Sequence, residues 1–338
     1  MPSLLKRIRW IFGAVALLAL VAMAVPAAAQ QQPSLINPTA SSVKEDQLLR
    51  ELNRIQGRGT LPDLKSQVIE QPQGRSWRQF HEVTLRWICA IAIVGMLALL
   101  IIFYVVRGTV RIIAGRSGRT ILRFNFLERA AHWMTAVSFI ILGLSGLNVT
   151  FGKTLLLPLV GPEAFANFSL AAKYAHNYLS FPFTLGVLLM LILWIKDNIP
   201  ERIDVEWIKQ GGGMVGDRHP PARRFNAGQK MVFWVVVLGG FAMAITGYVL
   251  MFPFYGGLSI GVMQWAQILH GVIGVLFVAA ILAHIYIGTL GMEGAFEAMG
   301  SGEVDLNWAK EHHRLWVEEE LGRREAGSAP RPRLRPAE

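Results

Sequence analysis

The chain has 338 residues, of which 53% are hydrophobic and only 17% charged, and it carries a formal net charge of +10. That composition excludes an ordinary soluble domain, and membrane topology with lipid headgroups accounts for the basic excess more simply than nucleic acid, so no nucleic-acid partner is expected. A single cysteine, Cys89, leaves no disulfide framework, no Cys-ligated Fe–S cluster and no Cys-x-x-Cys-His attachment, so any haem must be held non-covalently.

The N-terminus has the form of an export signal over 1–29. Lys6, Arg7 and Arg9 precede an apolar stretch, and Ala27-Ala28-Ala29 offers a cleavage site, with a retained anchor helix as the alternative. Residues 30–86 form a polar segment broken by Pro33, Pro38, Pro62 and Pro72. Within it, 42–56 has the apolar spacing of one amphipathic helix, either packed on a partner or serving as a solvated spacer. His81 reads as an interfacial polar residue.

Five apolar runs follow, at 87–106, 131–150, 173–195, 231–252 and 261–290. Each is long enough for the roughly 20 helical residues that cross a hydrocarbon core, and helices satisfy their own backbone groups in lipid. The fold class is therefore all-α: an integral membrane bundle with a four-helix core over 131–290 and one additional N-terminal transmembrane helix at 87–106. Arginines and lysines crowd the connections 107–130 and 196–230, whereas the alternate connections hold only Lys153 and Lys173, or none. By the positive-inside rule, the two basic connections and the tail 291–338 face the cytoplasm, and the segment 30–86 faces the periplasm.

Histidines are the chemical signal. Fourteen positions separate His270 from His284 within one uncharged run, so both imidazoles share a helix face at depths roughly 21 Å apart. His132 opens its run at the cytoplasmic end, level with His284, and His176 opens its run at the outer end, level with His270. Intramembrane ionisable residues usually serve a site, and haem iron takes imidazole as an axial ligand, so each level is expected to hold one haem b. Hydrogen bonding or proton relay is the alternative for any single histidine. Gly143, Gly271 and Gly274 fall where a macrocycle would press, or else serve close helix packing. His219, His312 and His313 are expected at the surface.

Several stretches resemble the gamma, or cytochrome b556, subunit of respiratory formate dehydrogenase. They are Phe126-Leu127-Glu128-Arg129-Ala130-Ala131-His132-Trp133, Asn198-Ile199-Pro200, Phe225-Asn226-Ala227-Gly228-Gln229-Lys230-Met231-Val232-Phe233-Trp234, the His270/His284 pair and Trp308-Ala309-Lys310-Glu311-His312-His313. The resemblance implies iron ligation by His132 with His284 and by His176 with His270. It also implies a quinone site beside the inner haem, with Asn226, Gly228, Gln229 and His284 at its edge. From the residues alone, Asn226–Gln229 is equally a helix cap. The implied partners are an Fe–S beta subunit and a molybdenum- or tungsten-containing alpha subunit that oxidises formate, for which this chain has no site. The expected path runs from the periplasmic Fe–S subunit through two haems to quinone near the cytoplasmic face. The alternatives are a cytochrome b serving a nickel–iron hydrogenase or thiosulfate reductase, and a haem-free anchor.

Overall fold

A computed structural model describes residues 74–213, 220–253 and 255–325. The expected signal segment, the amphipathic stretch 42–56 and His219 lie outside the described residues.

Five helices among the described residues are long and apolar enough to cross a membrane, spanning Ser76–Arg107, Phe126–Leu155, Pro162–Asn198, Ala227–Met251 and Ile260–Gly291. We label their α-helical parts, with one short helix between them, in chain order. Helix α1 is Leu85–Arg107, entered through Gly74–Gln79 and a π turn at Phe80–Thr84. Helices α2 and α3 are Phe126–Leu155 and Pro162–Trp194, the short α4 is Arg202–Lys209, and α5 and α6 are Ala227–Met251 and Ile260–Tyr286.

Helix starts follow from local chemistry more than from hydropathy. Helix α2 begins ahead of its apolar run because Asn125 accepts the Glu128 amide at 3.0 Å while Glu128 accepts the Asn125 amide at 2.9 Å. This reciprocal box satisfies two amides that a helix start otherwise leaves unpaired. Asn226 and Gln229 build the same box at the head of α5, at 2.9 and 3.1 Å. Helix α3 extends outward to Pro162, whose fixed φ suits a first helical position.

Helix α2 packs along α3, α3 on α5, α5 on α6, and α6 on α1. On α1 only Leu85 and Cys89 are fully buried, against Val275 of α6, and Ile91, Ile101 and Val106 are exposed. The extra helix therefore runs along α6, from Leu85 and Cys89 on Val275 to Phe103 and Tyr104 edge-on to Tyr286, and turns its other side to lipid.

At the end bearing both arginine-rich connections, the first connection and the tail fold together. Strand β1 (Thr120–Leu122) pairs antiparallel with β2 (Glu303–Asp305), placing Ile121 opposite Val304. Helices α7 (Leu306–His312) and α8 (Arg314–Glu325) complete a cap whose core joins Ile121, Phe124 and Trp308 to Trp194 and Phe225 beneath the bundle. This corrects the surface expectation for two histidines: His312 is 7% and His313 1% exposed. Both rings lie against Trp308, and His313 Nδ1–H donates to the Arg223 carbonyl at 2.8 Å, so the tail is a folded part of the cap.

Candidate functional site

The four intramembrane histidines come together in two pairs. The rings of His132 on α2 and His284 on α6 have centroids 6.2 Å apart, inclined by 62°. Those of His176 on α3 and His270 on α6 are also 6.2 Å apart, inclined by 63°. An iron taking one nitrogen from each ring at about 2.0 Å, an ordinary metal–imidazole length, sets the centroids about 6 Å apart. Both pairs therefore already stand at the separation that a shared axial position needs. Helix α6 packs most closely on α5 and α1, and meets α2 and α3, which supply its histidine partners, through side chains such as Phe277 on Phe139 and Phe183. The helices that exchange histidines are held apart, which leaves width for a planar group.

Around the outer pair the ring chemistry is defined. Ser145 Oγ gives its proton to the Ile141 carbonyl at 2.7 Å, so in its 2.8 Å contact with His176 Nδ1 it must be the acceptor. Thr246 Oγ1 likewise donates to the Ala242 carbonyl at 2.7 Å and accepts from His270 Nδ1–H at 2.9 Å. Each ring carries its proton on Nδ1 and keeps the Nε2 lone pair for a metal. The next residue in both cases is glycine: a Cβ on Gly146 would lie 3.7 Å from His176 Cε1, and one on Gly247 3.2 Å from His270 Cε1. Around the inner pair, His132 Nδ1 is buried without a hydrogen-bond partner among the described residues.

Between the levels lies an aromatic layer. Phe139, Phe183 and Phe277 each sit seven residues along from His132, His176 and His270, and Phe277 is also seven before His284. Their centroids are 4.7 to 6.4 Å apart, and Phe183 and Phe277 are buried. The heptad offset that aligned the histidines also placed these rings, although hydropathy alone does not distinguish them from other apolar residues.

The three glycines read as facing a macrocycle, or else as packing helices, each lie against a neighbouring side chain. A Cβ on Gly143 would meet Val278 at 3.5 Å, one on Gly271 Leu85 at 2.7 Å, and one on Gly274 Met243 at 3.2 Å. Gly271 and Gly274 permit close packing, the small-residue role common in membranes, whereas a Cβ on Gly143 would make only ordinary contact.

Beside the inner pair, the cap brings charge close to the bundle. Glu128 Oε1 receives Trp194 Nε1–H at 2.8 Å and Arg224 Nη2–H at 2.6 Å. Arg123, 3% exposed, lies 5.2 to 5.3 Å over the rings of Phe124, Trp308 and Trp316. Burial and the neighbouring Arg224 charge, against the pull of Glu128, bring its guanidinium down to about 9, so it remains cationic at neutral pH. Lys230 and Asp204 form a buried ion pair at 2.9 Å, and Lys230 also donates to the Ile199 carbonyl. At the head of α5 the capping bonds consume the amide oxygens of Asn226 and Gln229 and leave their NH2 groups as donors. Trp207 covers Gly228, where a Cβ would come within 3.1 Å of the indole.

The sequence profile of the prokaryotic cytochrome b561 family matches residues 123–302, more than half of the chain and all of the four-helix core. The chain is 30% identical over 203 residues to the formate dehydrogenase cytochrome b556(fdo) subunit of Escherichia coli K12, covering 59% of this chain and 93% of that protein. It is 27% identical over 207 residues to the nitrate-inducible cytochrome b556(Fdn) subunit of the same organism, with 60% and 93% covered. Against the formate dehydrogenase cytochrome b556 subunit of Haemophilus influenzae it is 27% identical over 209 residues, with 60% and 84% covered. Family and helices together make the chain a multi-pass bacterial inner-membrane protein of a class that carries haem b. It belongs to the prokaryotic cytochrome b561 family, among the cytochrome b556 subunits of formate dehydrogenases.

Proposed function

We propose that the chain is the di-haem membrane subunit of a formate dehydrogenase, holding one haem b between His132 and His284 and a second between His176 and His270. The observation that carries this reading is the identical 6.2 Å ring separation at two depths. When bound, the haems supply one-electron carriers between an Fe–S beta subunit at the periplasmic face and quinone at the cytoplasmic face.

The chain's own residues set the boundary conditions for that chemistry. The imidazoles offer neutral nitrogens from rigid helices, and Phe139, Phe183 and Phe277 keep the space between the two levels dry. The basic end is cytoplasmic by its arginine content. There Asn226 and Gln229 present amide donors to a quinone oxygen near His284, with Gly228 between them packed under Trp207, and neither amide adds a charge at the membrane edge. Formate oxidation is assigned to a molybdenum- or tungsten-containing alpha subunit, with this chain anchoring the complex.

The test is purification of the native complex from membranes. Two acid-extractable haems per chain, both reduced by formate through co-purifying subunits, support the reading. One haem per chain, haem retained on the polypeptide, or a different dehydrogenase as partner overturns it.

A further inference from the structure

Ser145 and Thr246 lie on different helices, α2 and α5, and each reaches the outer histidine of the neighbouring helix, on α3 and α6. Hydroxyls inside helices commonly donate to the carbonyl one turn back, and both of these do so. What sets them apart is the second contact: each oxygen also accepts a proton from an imidazole, at 2.8 and 2.9 Å, and each is followed by a glycine at the ring edge. The arrangement occurs twice at the outer level, whereas His132 of the inner pair has a buried Nδ1 with no hydrogen-bond partner among the described residues.

We propose that Ser145 and Thr246 are positioning residues for the outer redox site, fixing each ligand as its Nδ1–H tautomer, setting its ring plane and thereby holding the outer haem at a lower potential than it would otherwise have. The proposal rests on the two-haem reading. An acceptor on the far nitrogen makes an imidazole a stronger donor to the metal, and a stronger donor favours the ferric over the ferrous state. Gly247 acts sterically, because a Cβ there would press on His270 at Cε1, whereas one at Gly146 would make ordinary contact with His176.

The experiment compares the purified full-length protein with Ser145→Ala, Thr246→Val and the double variant, by redox titration and by low-temperature electron paramagnetic resonance of the ferric haems. The expected result is that both haems stay bound while the outer one alone changes its g values and becomes easier to reduce. In the double variant the reduction equilibrium should move about tenfold, equivalent to about 59 mV for one electron. Ser145→Thr and Thr246→Ser, which keep the hydroxyl, should restore the wild-type signals. Selective loss of the outer haem, rescued by the same hydroxyl-bearing variants, also supports the proposal. Unchanged outer g values and potential in the double variant overturn it, as does an equal shift at both haems, which marks general loosening of the bundle. Wild-type protein without two haem signals overturns the parent reading before any variant is compared.

Discussion

The two histidine pairs share one ring geometry, but different parts of the molecule support them. The outer pair is set from within the bundle, by Ser145 and Thr246 on helices packed directly against the ligand helices. The inner pair lies beside a folded cap, where Glu128, four residues before His132 on the same helix, ties α2 to Trp194 and Arg224. One site thus has hydroxyls against its rings in an apolar environment, and the other stands one helical turn from a charged network at the membrane edge. Damage to the cap should reach the inner site and spare the outer one.

The largest effect that tests this contrast is loss of a ligand. Replacing either His176 or His270 by alanine should remove the same haem, and replacing either His132 or His284 the other, halving the haem content each time. Pyridine haemochrome quantitation with resolved optical spectra checks it. If His270→Ala and His284→Ala deplete the same signal, the two pairs are not separate sites.

A second effect falls on the cap alone. Glu128 is 4% exposed and pairs with Arg224, which also holds Asp197 at 2.8 Å and whose neighbour Arg123 is buried. Glu128→Ala leaves the buried Trp194 N–H without its acceptor and Arg224 with the Asp197 carboxylate alone, and a buried donor left unsatisfied costs about 1–3 kcal/mol. Thermal unfolding in nanodiscs should show that loss, with the inner haem released first. Simultaneous release of both haems removes the distinction between the two ends.

A third test separates a quinone contact from a helix cap. Asn226→Asp with Gln229→Glu keeps the oxygens that accept the capping amides and deletes the NH2 donors. Quinone reduction should fall about tenfold, roughly the worth of one hydrogen bond, while both haems remain reducible by formate. Unchanged turnover and inhibitor sensitivity would falsify the quinone assignment and leave the box as a cap.

What the sequence made legible follows from physical scale. Uncharged runs declare membrane helices, and a fourteen-residue offset survives as a shared face whatever the packing. The glycines were illegible for a related reason: a helix apolar on every side has no hydrophobic stripe to reveal which neighbour a residue meets. Gly143, Gly271 and Gly274 therefore turned out to face Val278, Leu85 and Met243, while Gly146 and Gly247 took the positions beside the rings. The cap was hidden because it depends on distant partners and three-residue strands, such as Ile121 against Val304. The family-like stretch 126–133 becomes interpretable only once folded. Glu128 closes the helix start, Arg129 donates to the Gly300 carbonyl at 2.8 Å, and Trp133 donates to Met299 at 2.8 Å, so these residues join the bundle to its cap.

The smallest effect sharpens the contrast through pH. His313 is enclosed in the cap, where burial first, and then the Arg123 charge, hold its imidazole well below its ordinary range against the opposing hydrogen bond to Arg223. The folded form therefore stays neutral, while the unfolded chain takes up a proton near pH 6.5. Where the unfolded state binds more protons, stability rises with pH. The cap should consequently be indifferent to pH above about 6.5 and lose up to about 1.4 kcal/mol for each unit below it. Hydrogen exchange of 306–322 between pH 8 and pH 5 measures this directly, and His313→Asn, which retains a donor for the Arg223 carbonyl without titrating, should flatten the slope. The outer pair has no part in that network, so the outer haem spectrum should stay constant over the same range. An identical slope in His313→Asn and wild type would place the pH sensitivity elsewhere in the cap.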